Sequence, residues 1–318
     1  MKLTNVHNLP ETFVRAVRND DYDAGDSDIT VTQLINPPQL VELQRQHEDE
    51  IVRDAAEMGF ILMGKAIHYV LERAAVENAL VEERLFATVR GWKVSGQFDL
   101  FEGGGATLAE DTLTDWKITS VWAFMFGDKP EWTAQLNLCA ALLRLHGFEP
   151  KRLQIGAILR DWQKSKRGET NYPNNPVILR PVKMWHEDEA YNFLVRRVEL
   201  HQHARSYGVW QPCNAAERWA KPDTWAVKRK NVKKAMRVLD SEAAAQRYIE
   251  AQMQDKQRPM SIEFREGSST RCSDYCDALK WCAQGQGLVK KAPKEEEQTA
   301  AEEFADMAKY GIEEATVA

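Results

Sequence analysis

The chain has 318 residues, 43% of them hydrophobic and 9% aromatic, with ten tryptophans. That is enough apolar material for a sizeable core, in one large domain or two smaller ones, and it excludes disorder over most of the length. A net charge of -6 leaves no overall basic footprint, which weighs against a protein that merely coats DNA and assigns any nucleic-acid contact to local Lys and Arg clusters.

The opening MKLTNVHNLPETF lacks the apolar run of a signal peptide. No apolar stretch of about 18 residues occurs, so a soluble, cytoplasmic protein with no membrane partner is expected. After the polar stretch DDYDAGDSD, the β-branched alternation of ITVTQLI suggests a short strand before the Pro37-Pro38 stop. From Gln39 to Asn78 apolar residues recur at threes and fours, which predicts two helices, with Gly64 and His68 one turn apart on one face.

Between Arg84 and Thr119 the period falls to two, and RLFATVR, KVSGQFDLF and TLTDWKIT read as antiparallel strands. Pro130 suits a first helical position, and Trp132, Gln135, Leu136, Cys139, Leu142, Leu143 and His146 follow at helical spacing until Gly147. LQIGAILRD and VILRPVKMW read as further strands around a loop rich in Lys, Asn and Pro. A helix from Asp188 to Tyr207 closes the pattern.

The expected fold class is α/β, with a mixed central sheet flanked by helices over residues 1–207. Residues 208–286 change character, with four cysteines, a basic run and the segment SEAAAQRYIEAQMQ, and read as an appended, mainly helical lobe packed on the core. From residue 287 the chain is rich in Glu and Ala and reads as a mobile acidic tail.

Asp99, Asp111 and Asp115 crowd the stretch GQFDLFEGGGATLAEDTLTDWKI. On a strand, residues two apart share a face about 6.6 Å apart, so Asp115 and Lys117 point one way and Trp116 the other. Asp99 faces Asp115 across a hairpin only if the turn centres near residue 107, on a loop of roughly ten residues rather than a tight turn at Gly103–Gly105. Two converging carboxylates repel unless a cation lies between them, and hard oxygen ligands select Mg²⁺ or Mn²⁺. A neighbouring lysine can then neutralise charge on a phosphoryl transition state. Glu110 and Asp111 have no lysine two positions on and read as loop acids; of Glu82 and Glu83, alternation lets only one point inward.

The string Gly64-x-x-x-His68, Glu82-Glu83, Gly96-x-x-Asp99, Asp115-x-Lys117 and Gln135 resembles the PD-(D/E)XK nuclease superfamily, specifically its RecB-type exonuclease branch. The resemblance implies a restriction-endonuclease-like core in which His68, Asp99, Asp115 and the backbone carbonyl of Trp116 bind the metal. Asp99, Asp115, Lys117 and Gln135 would then be catalytic. Cys139 stands where the family often has a tyrosine, four residues after the glutamine.

Cys272-x3-Cys276-x5-Cys282, with Cys213 at a distance, could hold tetrahedral Zn²⁺ or an iron-sulfur cluster. The paired C-x2-C knuckles of zinc ribbons are absent. The spacing resembles the iron-sulfur staple of RecB-type nucleases, which implies a [4Fe-4S] cluster. Cys213 follows the core, whereas those relatives commonly draw the distant cysteine from before it. With SDITVTQLINPP, HYVLER and PCNAAERWAKPDTWAVKRK, this looks like a bacteriophage-encoded group, over roughly residues 7–285. The resemblance thus implies a metal-dependent DNA exonuclease of phage recombination or processing, working in the host cytoplasm with a recombinase, single-strand-binding protein or helicase as partner. Lys228, Arg229, Lys230, Lys233 and Lys234 could contact phosphates, and Trp162 or Trp225 could stack on bases. The rival readings are a non-catalytic DNA-binding or assembly protein on the same fold, and a zinc-stabilised interaction protein.

Overall fold

A computed structural model describes residues 2–19, 24–74, 79–103, 111–125, 129–252 and 259–289. Glu110, the glycines at 104 and 105, and the tail beyond Val289 lie outside the described residues. The chain divides into two compact units, Met1–Cys213 and Asn214–Ala318, a boundary six residues later than expected.

The first unit opens with β1 (Lys2–Thr4), α1 (Glu11–Arg18), β2 (Ile29–Thr30) and α2 (Val31–Ile35). ITVTQLI is therefore extended for only two residues. Thr30 makes the change: its hydroxyl accepts the Gln33 N–H at 3.2 Å, and the Gln33 side chain accepts the Thr30 N–H at 2.9 Å. This reciprocal capping box satisfies two backbone donors at the helix start, and it outweighs the strand preference of the β-branched residues. The two helices expected after Pro38 are α3 (Pro38–Gln46) and, beyond β3 (Val52–Asp54), α4 (Gly59–Glu72). β3 pairs in parallel with β1.

β4 (Ala79–Val89), β5 (Trp92–Glu102) and β6 (Thr112–Thr119) are the expected antiparallel strands. They lead through α5 (Val121–Met125) to α6 (Pro130–Leu145), β7 (Arg152–Leu159), β8 (Val177–Val182) and α7 (Glu187–Tyr207). The six-stranded sheet runs β2-β5-β6-β7-β8, with β4 along the other edge of β5. It is mixed, because β6 and β7, like β2 and β5, are parallel. β2 pairs with β5 at Val94 and Ser95, and β6 pairs with it only from Leu100 onward. Between those contacts, Gly96 to Phe98 pair with β4 alone among the described strands and Asp99 drops out of that ladder too, and this is where the sheet opens.

The core is one cluster drawn from β2, α2, β4, β5, β6, α5, α6, β7 and α7, including Ile29, Leu34, Val94, Leu113, Leu142, Ile155 and Leu194. α6 is buried on more than the stripe its sequence announced, from Leu136 through Leu143 without a break. Asn137 tolerates complete burial because its amide donates to the Thr133 and Lys183 carbonyls and accepts the Trp185 N–H at 2.7 Å. Gly96 is what lets this helix approach the sheet: a Cβ there would lie 2.6 Å from Leu142 Cδ1 and 2.9 Å from Val31 Cγ2. On β7, Gly156 likewise makes room for the Trp116 ring, which a Cβ would meet at 2.4 Å.

The second unit is not mainly helical. It contains β9 (Ala220–Lys221), β10 (Thr224–Arg229), β11 (Arg237–Leu239), α8 (Glu242–Gln252), β12 (Met260–Arg265), β13 (Ser268–Ser269), α9 (Thr270–Asp274) and α10 (Ala283–Leu288). β10 is the centre of a three-stranded antiparallel sheet, β11-β10-β12, and β9 pairs with β13. At the middle of β10 the adjacent Ala226 and Val227 are fully buried, together with Ala245 of α8.

Gly96→Ala is expected to cost about 1–3 kcal/mol in urea unfolding, because Leu142 and Val31 are both buried and have nowhere to retreat.

Candidate active site

Four neighbouring elements of the first unit bring acids and a histidine to the opening in the sheet. α4 supplies His68, β4 supplies Glu82, β5 supplies Asp99, and β6 supplies Asp115 and Lys117. The β5–β6 register pairs Leu100 with Thr114 and Glu102 with Thr112, which centres the connection on residue 107 and sets Asp99 opposite Asp115. The ladder is not continued at that pair. Instead Asp99 Oδ2 accepts the backbone N–H of Trp116 at 2.5 Å, so the carboxylate takes the place of a ladder carbonyl.

A second irregularity lies on the other edge of β5. The β4–β5 ladder omits the Glu82–Asp99 position, and Glu82 has φ of +51°. Such a backbone is unfavourable for a residue with a Cβ and persists only where surrounding contacts hold it. Here those contacts are His68 Nδ1, 2.9 Å from Glu82 Oε1, and Gln97 Nε2, which donates to Glu82 Oε2 at 2.9 Å. His68 Nδ1 is also 3.7 Å from Asp99 Oδ1. His68, Glu82 and Asp99 offer ligand atoms that all lie within 4.8 Å of one another, and no other group of three or more His, Cys, Asp or Glu does so among the described residues. Glu83 is exposed and points away.

Asp115 is 4% exposed and pairs with Lys117, whose Nζ lies 2.7 Å from Asp115 Oδ2 and donates to Gln135 Oε1 of α6 at 3.2 Å. Asp115 is thus outside the tight His68–Glu82–Asp99 group, but its charge is felt by both His68 and Asp99. Burial, reinforced by Asp115, pushes the Asp99 carboxyl up to about 7. The hydrogen bond to Glu82 raises the His68 imidazolium against the opposing effect of burial. Burial works to lower Lys117, and the attraction and hydrogen bond of Asp115 more than offset it, so the lysine is a firm ammonium. Cys139, one turn beyond Gln135, is buried, and burial raises its thiol far above the usual range. It is a core residue, with none of the reactivity of a thiolate.

A cleft of about 310 Å³ opens onto the group, lined among others by Lys65, His68, Glu82, Arg84, Gln97 and Asp99. Lys65, Arg84 and Gln97 were not singled out in the sequence. Two had a legible signal, since Gln97 shares the strand face of Asp99 and Lys65 precedes His68 by one helical turn. Arg84 is tied in through Gln97 Oε1, to which it donates at 2.7 Å. Asp111 is held by the ion pair with Lys151 at 2.5 Å, as befits a structural acid.

The remaining expected site residues lie elsewhere. Cys213 ends the first unit, where its backbone N–H donates to Gln39 Oε1 at 3.2 Å. Cys272 is on α9, Cys276 follows it, and Cys282 caps α10 by accepting the Gly285 N–H at 3.2 Å. Burial raises the thiols of Cys272 and Cys276, and neighbouring cysteines add to this. Lys228 and Arg229 end β10, and Lys228 is ion-paired with Glu263. Lys230, Lys233 and Lys234 are exposed on the connection to β11. Trp162 donates its indole N–H to the Pro173 carbonyl at 2.8 Å and packs on the core, and Trp225 leans on Phe264.

The fold and site define a mixed α/β protein with a histidine–carboxylate cleft and a cysteine-rich second unit. No family model matches the chain, and no curated protein does. Among solved structures, one titled "Crystal structure of SSO0001" aligns over 59% of this chain and 84% of its own, with 14% identity and a TM-score of 0.40. No described helix is long and apolar enough to cross a membrane.

The raised Asp99 pKa carries a stability consequence. Between the ordinary carboxyl range and about pH 7 the native state holds a proton that the unfolded chain has released, so stability falls as pH rises through that window. In chelator, Asp99→Asn is expected to stabilise the protein by about 1–3 kcal/mol at about pH 8 and to leave it nearly unchanged at about pH 4, as read by urea denaturation.

Proposed function

We propose that the protein is a divalent-metal-dependent DNA nuclease, cleaving phosphodiester bonds with the side chains gathered at the opening between β5 and β6. The observation that carries this reading is the convergence of His68, Glu82 and Asp99 within 4.8 Å, with Asp99 held up at about 7 and the Asp115–Lys117 pair beside it. Acids packed this closely are costly even beside His68 and Lys117, as the raised Asp99 carboxyl reflects, and a divalent cation relieves that cost. The carboxylates suit Mg²⁺ or Mn²⁺, held by His68 and Asp99 with Glu82 or Asp115, and the imidazole donor favours Mn²⁺ of the two. The resemblance to PD-(D/E)XK nucleases adds the Trp116 carbonyl.

Bound there, the cation would polarise a phosphoryl oxygen and make its water a better nucleophile. Lys117, fixed by Asp115 and Gln135, stays protonated and places positive charge where the phosphorane develops negative charge. With so high a pKa it acts as a cation and water-orienting donor and leaves proton abstraction to other groups. Gln135 restricts the lysine rotamer, and the Trp116 N–H restricts Asp99, so both charged groups are preorganised. The exonucleolytic and phage-recombination setting, and a recombinase, single-strand-binding protein or helicase partner, rest on the sequence resemblance.

For the cysteines the proposal is a [4Fe-4S] cluster ligated by Cys213, Cys272, Cys276 and Cys282, with Zn²⁺ as the alternative. The same thiolates suit either group, and the resemblance in spacing is what favours the cluster.

Purified protein with Mg²⁺ or Mn²⁺ should degrade end-labelled linear DNA, and chelator should stop it. Asp115→Ala and Lys117→Ala should each lower the rate by about 100-fold or more while circular dichroism stays unchanged. If both variants cut like the parent, the site is wrong; if DNA is bound without metal and never cut, the non-catalytic reading replaces this one. Protein isolated without oxygen should be brown, with visible absorbance that Cys276→Ser diminishes. Colourless protein with stoichiometric zinc would favour the alternative.

A further inference from the structure

α4 has an exposure at odds with its composition. GFILMGKAIHYVLE is dominated by apolar residues, yet none of them is buried. Phe60 is 60% exposed and Ile61 45%. Contiguous apolar exposure of this kind on a helix marks a surface that something covers.

Gly64 says where that something passes. It stands one turn from Phe60 on one side and from His68 on the other, so the three share a helical face. Glycine is the poorest helix former after proline, and nothing in the fold demands it here. An added Cβ would meet no atom of the described residues within 4 Å, and the backbone is not in the left-handed region. The missing side chain thus leaves an open notch between an exposed aromatic ring and a candidate metal ligand. Cations flank the notch: the Arg160 guanidinium lies 4.1 Å from the Phe60 ring centroid, and Lys65 lines the cleft with His68.

We infer that the N-terminal half of α4 is the track by which an unpaired nucleic-acid strand enters the site, one base stacking on Phe60 and Ile61 and the sugar-phosphate crossing Gly64 to reach His68. Aromatic surface interleaved with Lys and Arg is the chemistry that holds single strands, because bases stack without regard to sequence while cations follow the phosphates. A duplex keeps its base faces inside the helix and would leave Phe60 and Ile61 uncovered. The inference rests on the nuclease reading of the site and deepens it, assigning the substrate as single-stranded at the point of entry.

The test uses the full chain carrying Asp115→Asn, so that binding is read without cleavage. Anisotropy of a dye-labelled single-stranded oligonucleotide is compared with that of a blunt hairpin duplex. The single strand should bind more tightly, and Phe60→Ala should weaken it by about tenfold while changing duplex binding little. Gly64→Ala should raise Tm, because alanine favours the helix and meets no neighbour, and yet weaken single-strand binding. Gly64→Leu should abolish it. The inference is overturned if Phe60→Ala and Gly64→Leu bind the single strand like the parent, if both substrates weaken equally, or if Phe60→Ala instead dissociates a dimer, which would make the face a contact between copies. In each of those cases the wild-type protein still cuts DNA in a manner abolished by Asp115→Ala. If the nuclease reading itself is wrong, wild type cuts nothing.

Discussion

The placement of negative charge at the opening between β5 and β6 constrains everything else in the first unit. Asp99 lies on the stretch of β5 between its pairings with β2 and β6, with Glu82 on one flank and Asp115 on the other. Three carboxylates in a row across a sheet can coexist only if each finds a donor. Asp99 takes a backbone N–H, Glu82 takes His68 and Gln97, and Asp115 takes Lys117. Even so, Asp99 prefers its proton up to about pH 7, so the site keeps an electrostatic debt within the fold.

The rest of the architecture keeps that arrangement rigid. α6 lies close over the sheet because Gly96 has no side chain, and this closeness brings Gln135 to Lys117. α2 packs there too, once the Thr30–Gln33 capping box has turned the chain from strand to helix. α7 braces the same corner: Arg197 donates to the Leu34 carbonyl at 2.6 Å, and buried His201, lowered to about 4 by desolvation, stays neutral beside it. A buried ion pair such as Asp115–Lys117 is seldom the most stabilising choice for a core position. Its retention, like the left-handed Glu82, marks local stability given up where geometry is needed.

Much of the fold was legible in the sequence, because it followed from period and punctuation. The strands at β4, β5, β6, β7 and β8 alternate, Pro130 opens α6, and a connection centred on residue 107 was the condition for Asp99 to face Asp115. The second unit was less legible. Its alanine-rich α8 suggested helix throughout, whereas the short strands β10, β11 and β12 reveal themselves only through their mutual pairing. ITVTQLI failed for a related reason, since a two-residue capping interaction decided against a seven-residue alternation.

At the site, the sequence by itself determined which acids, which histidine and which lysine were available, and that Asp115 and Lys117 share a strand face. Only the tertiary structure decided their partnerships. It selected Glu82 over Glu83 through a positive-φ backbone, placed Glu82 with His68 and Asp99, and set Asp115 against Lys117. It also left every apolar residue of α4 at least partly exposed, which no periodicity could foretell, since an apolar helix reads the same whether a core or a ligand is to cover it. The physical reason is that periodicity encodes the direction of a side chain relative to its own element. Charge balance and exposure depend on what the neighbouring elements bring.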